Sequence, residues 1–292
     1  MDVGPWDVAA VVIKTVTYAA TFAVTGGALF LAYSASLISA QQGHRIRRWL
    51  GLCILFAIAG SLLRIAVLAG SMGESTAGML DKTMISMVLQ AGELRATSLR
   101  VVALVVASFG LVFRRHLTVV TIAGALLASA SFAWIGHAWA SGTGALLVGV
   151  QGVHLICAGF WIGALPPLHR IASEGNLPEL SSIASRFGNV AIWLVALLIA
   201  AGATLLASLL GSPTELWTTP YGRLVTVKLG AVVCLLGLAT INRLRLTPRL
   251  AASDRQSART LIRSIEAEMV VGAFILFVTA ALTTVTGPAA LE

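Results

Sequence analysis

The side chains best suited to chemistry in this chain are imidazoles, one thiol and a run of thioethers. Three of its five histidines fall in one window, "GHAWASGTGALLVGVQGVHLICAGFWIGALPPLHR", residues 136–170. Most of that window is oily enough for a lipid bilayer, yet it keeps His137 and His154, which must shed water there. Ionisable groups held inside a membrane are costly to retain and mark functional sites. Cys157 follows His154 by three residues and shares its helical face. Imidazole with thiolate suits a soft cation, Cu(I) or Zn. Four of the six methionines, Met72, Met79, Met84 and Met87, fall in one connection between the second and third apolar runs. Thioethers are ligands for Cu(I) and for few other common ions. Each group also has an ordinary reading: His137 bonded to a neighbouring helix, His154 satisfied in a core, and the methionines padding a surface helix.

The elements that position these groups follow from composition. Of 292 residues, 58% are hydrophobic and only 11% charged, against about a quarter charged in a soluble domain. In hydrocarbon only helices satisfy their own backbone over such runs. Apolar runs near 8–39, 49–70, 93–113, 118–140, 145–167, 187–211, 221–242 and 265–286 predict an all-α, polytopic transmembrane helical bundle of about eight spans. Residues 1–292 read as a single integral membrane domain with no internal repeat. The first run exceeds what a bilayer needs, and its acidic leader "MDVGPWDVAA" marks a retained span rather than a cleaved signal peptide. The outer connection 71–92 is partly amphipathic, and "NLPELSSIASRF" and "SDRQSARTLIRSIEAE" read as helical extensions at the opposite interface.

Arginine placement sets the orientation. The connections 40–48, 114–117, 168–186 and 243–264 hold 13 of the 20 basic residues, whereas 71–92, 141–144 and 212–220 hold only Lys82. The positive-inside rule puts the arginine-rich connections in the cytoplasm and both termini in the periplasm. The net charge of +8 therefore needs no nucleic acid as a partner; the lipid bilayer accounts for it. Cys53, Cys157 and Cys234 all lie within apolar runs, so they read as free thiols, the first and last as apolar packers.

On this topology residues 136–170 form a helical hairpin. His137 lies about one turn below the outer end of the fourth span, and His154 about 15 Å below the "SGTG" turn. They are successive stations on a path from outside, or co-ligands if the start of the fifth span is unwound. Other charges fall inside spans: Lys14 and Arg64 in the outer parts of the first two, Arg223 and Lys228 in the seventh, Glu266 and Glu268 at the inner end of the eighth. Lys14 and Arg223 are expected to snorkel to headgroups. Lys228 lies deeper, and Glu93 is expected to pair with one of these cations.

The same residues carry a family resemblance. "GHA" at 136–138 with "VHLICAGFWIGAL" at 153–165, then "SRFGNVAIW" at 185–193, "TPYGRLVTVKLG" at 219–230 and "INRLRLTP" at 241–248 resemble, in order over roughly 130–250, the motifs of the CopD copper-resistance family. The resemblance implies a bacterial inner-membrane protein that handles copper, most often by importing it from periplasm to cytoplasm. It carries over His137 and His154, with Trp161, Gly163, Tyr221, Arg223, Lys228, Asn242 and Arg243 as further matches of structural or unassigned role. Ala164 stands where the family usually has a second glycine, and Gly188 where it has serine. Cys157 and the methionines are outside the family pattern and rest on ligand chemistry.

The expectation is therefore a copper permease taking copper, as Cu(I), from a periplasmic copper-binding donor protein, with the methionines and His137 as collectors and His154 as a deeper station. No catalytic site is expected, and no GxxxxGK[ST] motif is present to couple nucleotide hydrolysis. Two alternatives share these residues: a copper delivery factor for a partner enzyme, and a membrane redox protein with histidine-ligated haem. His44, His116 and His169, in the arginine-rich connections, weigh against haem. Oligomeric state leaves no mark on the sequence.

Overall fold

The computed structural model describes residues 4–112, 118–134, 144–174, 176–252 and 254–286. Among these the regular structure is all helical. The elements are α1 (Pro5–Ser34), α2 (Ala40–Met72), the short α3 (Lys82–Val88), α4 (Leu94–Val112) and α5 (Thr118–Ala130), which a 3-10 turn extends over Ser131–Trp134. Then come α6 (Gly144–Ser173), α7 (Leu177–Leu209), the short α8 (Glu215–Thr218), α9 (Pro220–Ile241), α10 (Thr247–Ala251) and α11 (Arg255–Val285). Seven helices are long and apolar enough to cross a membrane, and α5 with its extension is a shorter apolar eighth. The chain is a polytopic helical bundle, and each apolar run coincides with one of these helices.

Local chemistry sets the helix ends. Ser39 caps α2 by accepting from Gln42 N at 3.2 Å while Gln42 Oε1 accepts from Ser39 N, a reciprocal box that fixes a start point. The long first run is therefore cut: α1 stops at Ser34, a turn follows, and Arg45, Arg47 and Arg48 ride on the first turns of α2. The connection 243–264 is likewise mostly helical. A π-helical turn over Asn242–Leu246 joins α9 to α10, and Asp254 caps α11 by accepting from Gln256 N. The bundle thus has an arginine-rich end and an arginine-poor end.

Helix α1 is the hub, packing against α2, α5, α6 and α11. Its closest approach is to α6. A Cβ on Gly163 would stand 1.8 Å from the Phe22 carbonyl oxygen, and one on Gly26 would stand 2.3 Å from the Gly163 carbonyl carbon. Two backbones touch there because neither residue has a side chain, the means by which helices associate in lipid without a hydrophobic driving force. Ala164 beside it is fully buried, so its methyl fits where the family's second glycine stands.

By contrast α7 and α9 are peripheral, with Trp193 77% and Val233 68% exposed, as expected of lipid-facing surfaces. Cys157 is buried, but Cys234 is exposed on α9, so it does not pack a core as its apolar run suggested. Helix α9 packs mainly on α11, with the short α8 beside its start, leaving its other side open. Between α7 and α9, floored by α6 and α11, runs a crevice of about 160 Å³.

Candidate functional site

His154 sits ten residues into α6, half-buried, facing α7. Helix α6 is regular from Gly144 onward, so the unwound arrangement is not the one adopted. Its Nδ1 lies 3.2 Å from the Leu198 carbonyl oxygen of α7. A carbonyl only accepts, so Nδ1 carries the proton and Nε2 keeps its lone pair, the tautomer of a metal-ligating histidine steadied by a backbone carbonyl. Room for the ring comes from Gly202, whose Cβ would stand 3.1 Å from His154 Cε1. Lys228 of α9, half-buried, is within electrostatic reach of the imidazole. Cys157, one turn along α6, is buried.

The remaining candidates divide by position. His137 and residues 141–143 of the "SGTG" turn lie outside the described residues, as does His116. Among the described residues no three of His, Cys, Asp and Glu are grouped to hold a metal ion. The methionines cluster at the arginine-poor end on segments packed against α2. Met72 and Met87 are exposed, Met84 is half-buried on α3, and Met79 borders Gly70 next to the Trp6 ring. Met79 thus has a packing role.

Glu93 does find a cation. Arg64 Nε and Nη2 donate to its Oε1 at 3.1 and 2.6 Å, in surroundings where both side chains are buried. Arg100, fully buried, donates to Ser131 Oγ at 3.0 Å and lies 3.6 Å above the centre of the Phe132 ring. Lys14 does not snorkel. It is 5% exposed and donates to the Thr283 carbonyl at 3.0 Å, because α1 is enclosed by α2, α5, α6 and α11. Arg223 is exposed, as expected near a helix end, and its Nε donates to the Trp217 carbonyl.

A second polar site lies about 10 Å further along α6, seven residues beyond His154. The crevice wall joins Trp161 of α6, Gly188 of α7, Asn242 and Arg243 of the π turn, and Glu268 of α11. The first four belong to three separate sequence motifs that only folding brings together. Glu268 is 3% exposed. Trp161 Nε1 donates to its Oε2 at 3.3 Å, and Asn242 Nδ2 donates to its Oε1. Gly188 leaves space for the Arg243 guanidinium, which donates to Asn189 Oδ1 at 3.1 Å. A π-helical turn supplies the buried polar residue in both clusters: Leu89–Glu93 delivers Glu93 to Arg64, and Asn242–Leu246 delivers Asn242 to Glu268. Such turns recur at functional sites because the extra residue re-aims a side chain.

Asn189 and Gly202 escaped the sequence reading, which gives Glu268 only as a charge at the inner end of the eighth run, with no role. The available signal was a carboxylate within the eighth apolar run; its neighbour Glu266, at the same end, pairs instead with His169 at 3.0 Å and is exposed.

Comparison with known proteins agrees with this architecture. Residues 5–148 match the family described as copper resistance protein D-like, N-terminal domain, and residues 181–282 match copper resistance protein D. Over 136 residues the chain is 27% identical to Inner membrane protein YebZ of Escherichia coli (strain K12), covering 45% of this chain and 46% of that protein. The match therefore spans about half the length of that curated relative. No solved structure matches the chain. With two family matches that flank residues 149–180 and together cover most of its length, and a bundle of about eight apolar helices, the chain belongs to the copper resistance protein D family of multi-pass membrane proteins.

Proposed function

We propose that the protein is a copper permease of the bacterial inner membrane, with the arginine-rich end in the cytoplasm and both termini in the periplasm. Copper, as Cu(I) from a periplasmic copper-binding donor, is collected at the arginine-poor end by Met72, Met84, Met87 and His137. It then passes to His154. The observation that carries the reading is the His154 tautomer: Nδ1 is committed to the Leu198 carbonyl, which leaves Nε2 as a neutral soft-metal ligand inside a span. Cys157, three residues further along the same helix and buried, is a candidate second ligand.

A transport site must release what it binds. The nearby ammonium of Lys228 opposes a cation at His154 and so limits how tightly copper is held. With no GxxxxGK[ST] motif in the chain, flux runs down a gradient or potential, or depends on a partner.

The test is metal analysis of purified wild type beside His137→Ala and His154→Ala, followed by copper uptake into proteoliposomes. Wild type should retain copper, His154→Ala should lose it, and uptake should fall with it. Copper binding without uptake would favour a delivery factor over a permease. Full uptake in His154→Ala would remove that residue from the path.

A further inference from the structure

Glu268 presents a buried charge problem that the copper reading does not use. Its carboxylate borders the crevice at 3% exposure, yet both of its hydrogen bonds come from neutral donors, Trp161 and Asn242. The cation on the same wall, Arg243, gives its hydrogen bond to Asn189 instead. Charged groups on the elements packed around α11 are engaged or directed elsewhere. Lys14 of α1 holds the Thr283 carbonyl, His169 of α6 holds Glu266, and Arg186 of α7 holds the Tyr33 carbonyl. Lys228 of α9 lies near His154, and Arg245, Arg249, Arg259 and Arg263 are exposed.

An ionised carboxylate inside a membrane protein with no paired cation is expensive, and two neutral hydrogen bonds do not balance it. A proton does, and Asn242 is built to serve both states. Its Nδ2 donates to the ionised oxygen, while its Oδ1 is buried without a partner among the described residues. Rotating that amide presents Oδ1 to accept from a carboxylic O–H. The crevice borders the carboxylate and the Asn242 amide.

We propose that Glu268 is a proton-carrying site of the crevice and that protonation there governs copper passage. The second clause rests on the copper reading above. In the ionised form Glu268 balances the charge of a copper ion inside the bundle by field rather than by ligation. Once the ion leaves, a proton takes its place. Only the O–H bond of Glu268 forms and breaks, and no electron is transferred.

Two measurements on the purified full-length chain separate the clauses. Infrared difference spectra across a pH titration without copper should show a carboxylic C=O band that is lost in Glu268→Gln and shifted in Glu268→Asp. Gln keeps one acceptor for the Trp161 N–H, and a flipped Asn242 amide offers Oδ1 to accept from its NH2, so folding is retained. A band unchanged in Glu268→Gln, or no band, overturns the proton site. In proteoliposomes, copper uptake by wild type should fall about tenfold per pH unit below the midpoint, as one titrating group requires. Glu268→Gln should show a low, pH-independent residue of uptake. Uptake in that variant with the wild-type pH profile overturns the coupling. Vesicles of wild type that carry no copper at any pH refute the permease reading and the coupling together, and the infrared band then decides the proton site alone.

Discussion

The crossing of α1 and α6 gives the sharpest stability prediction. Substituting Gly163→Ala adds one methyl at a point 1.8 Å from the Phe22 carbonyl oxygen, about 1.5 Å inside the ~3.3 Å at which a carbon and a carbonyl oxygen normally meet. That oxygen is backbone in the middle of the hub helix, so no side-chain rotation relieves the overlap and the helices must part. Gly26 faces the same point, its own Cβ position 2.3 Å from Gly163. Overpacking of this kind costs about 1–3 kcal/mol or more, and each kcal/mol lowers Tm by about 2–4 °C in a chain of comparable size. Thermal unfolding in detergent, followed by tryptophan fluorescence, should therefore show Gly163→Ala melting several degrees below wild type. Gly149→Ala, on the same helix with nothing within 4 Å of its Cβ position, is the matched control and should melt at or slightly above wild type. Equal Tm values for the two variants would refute the claim that this glycine is required by backbone contact.

Two further outcomes follow from the buried groups. Arg64→Met strands the Glu93 carboxylate, whose Oε1 holds both of its contacts at 3.1 and 2.6 Å; it should cost about 3–5 kcal/mol, read by the same melts, with most of the loss recovered in the double variant Arg64→Met with Glu93→Gln. Gly202→Val changes no ligand but pushes on the His154 ring, already 3.1 Å from a Cβ position. If the copper reading holds, breaking the Leu198 contact should weaken copper affinity about 10–100-fold by competition titration, and unchanged affinity would count against that tautomer's role.

What could be read from the chain alone was whatever depends on neighbours in sequence. Apolar runs identify spans because hydrocarbon demands a helix wherever it meets backbone, and the eight helices fall on the eight runs. The depth of His154 follows from counting residues along one helix. The tertiary structure decided which helices meet, and so which polar groups share a site. Nothing local makes Arg64, and not Lys14 or Arg223, the partner of Glu93, since the two belong to different helices and a π turn aims the carboxylate. Nor does any local pattern place Trp161, Gly188, Asn242 and Arg243 around Glu268, because their motifs lie on separate helices. Burial of Lys14 has the same origin. A lysine near a helix end snorkels when that helix borders lipid, and only the packing of α2, α5, α6 and α11 around α1 removes that border.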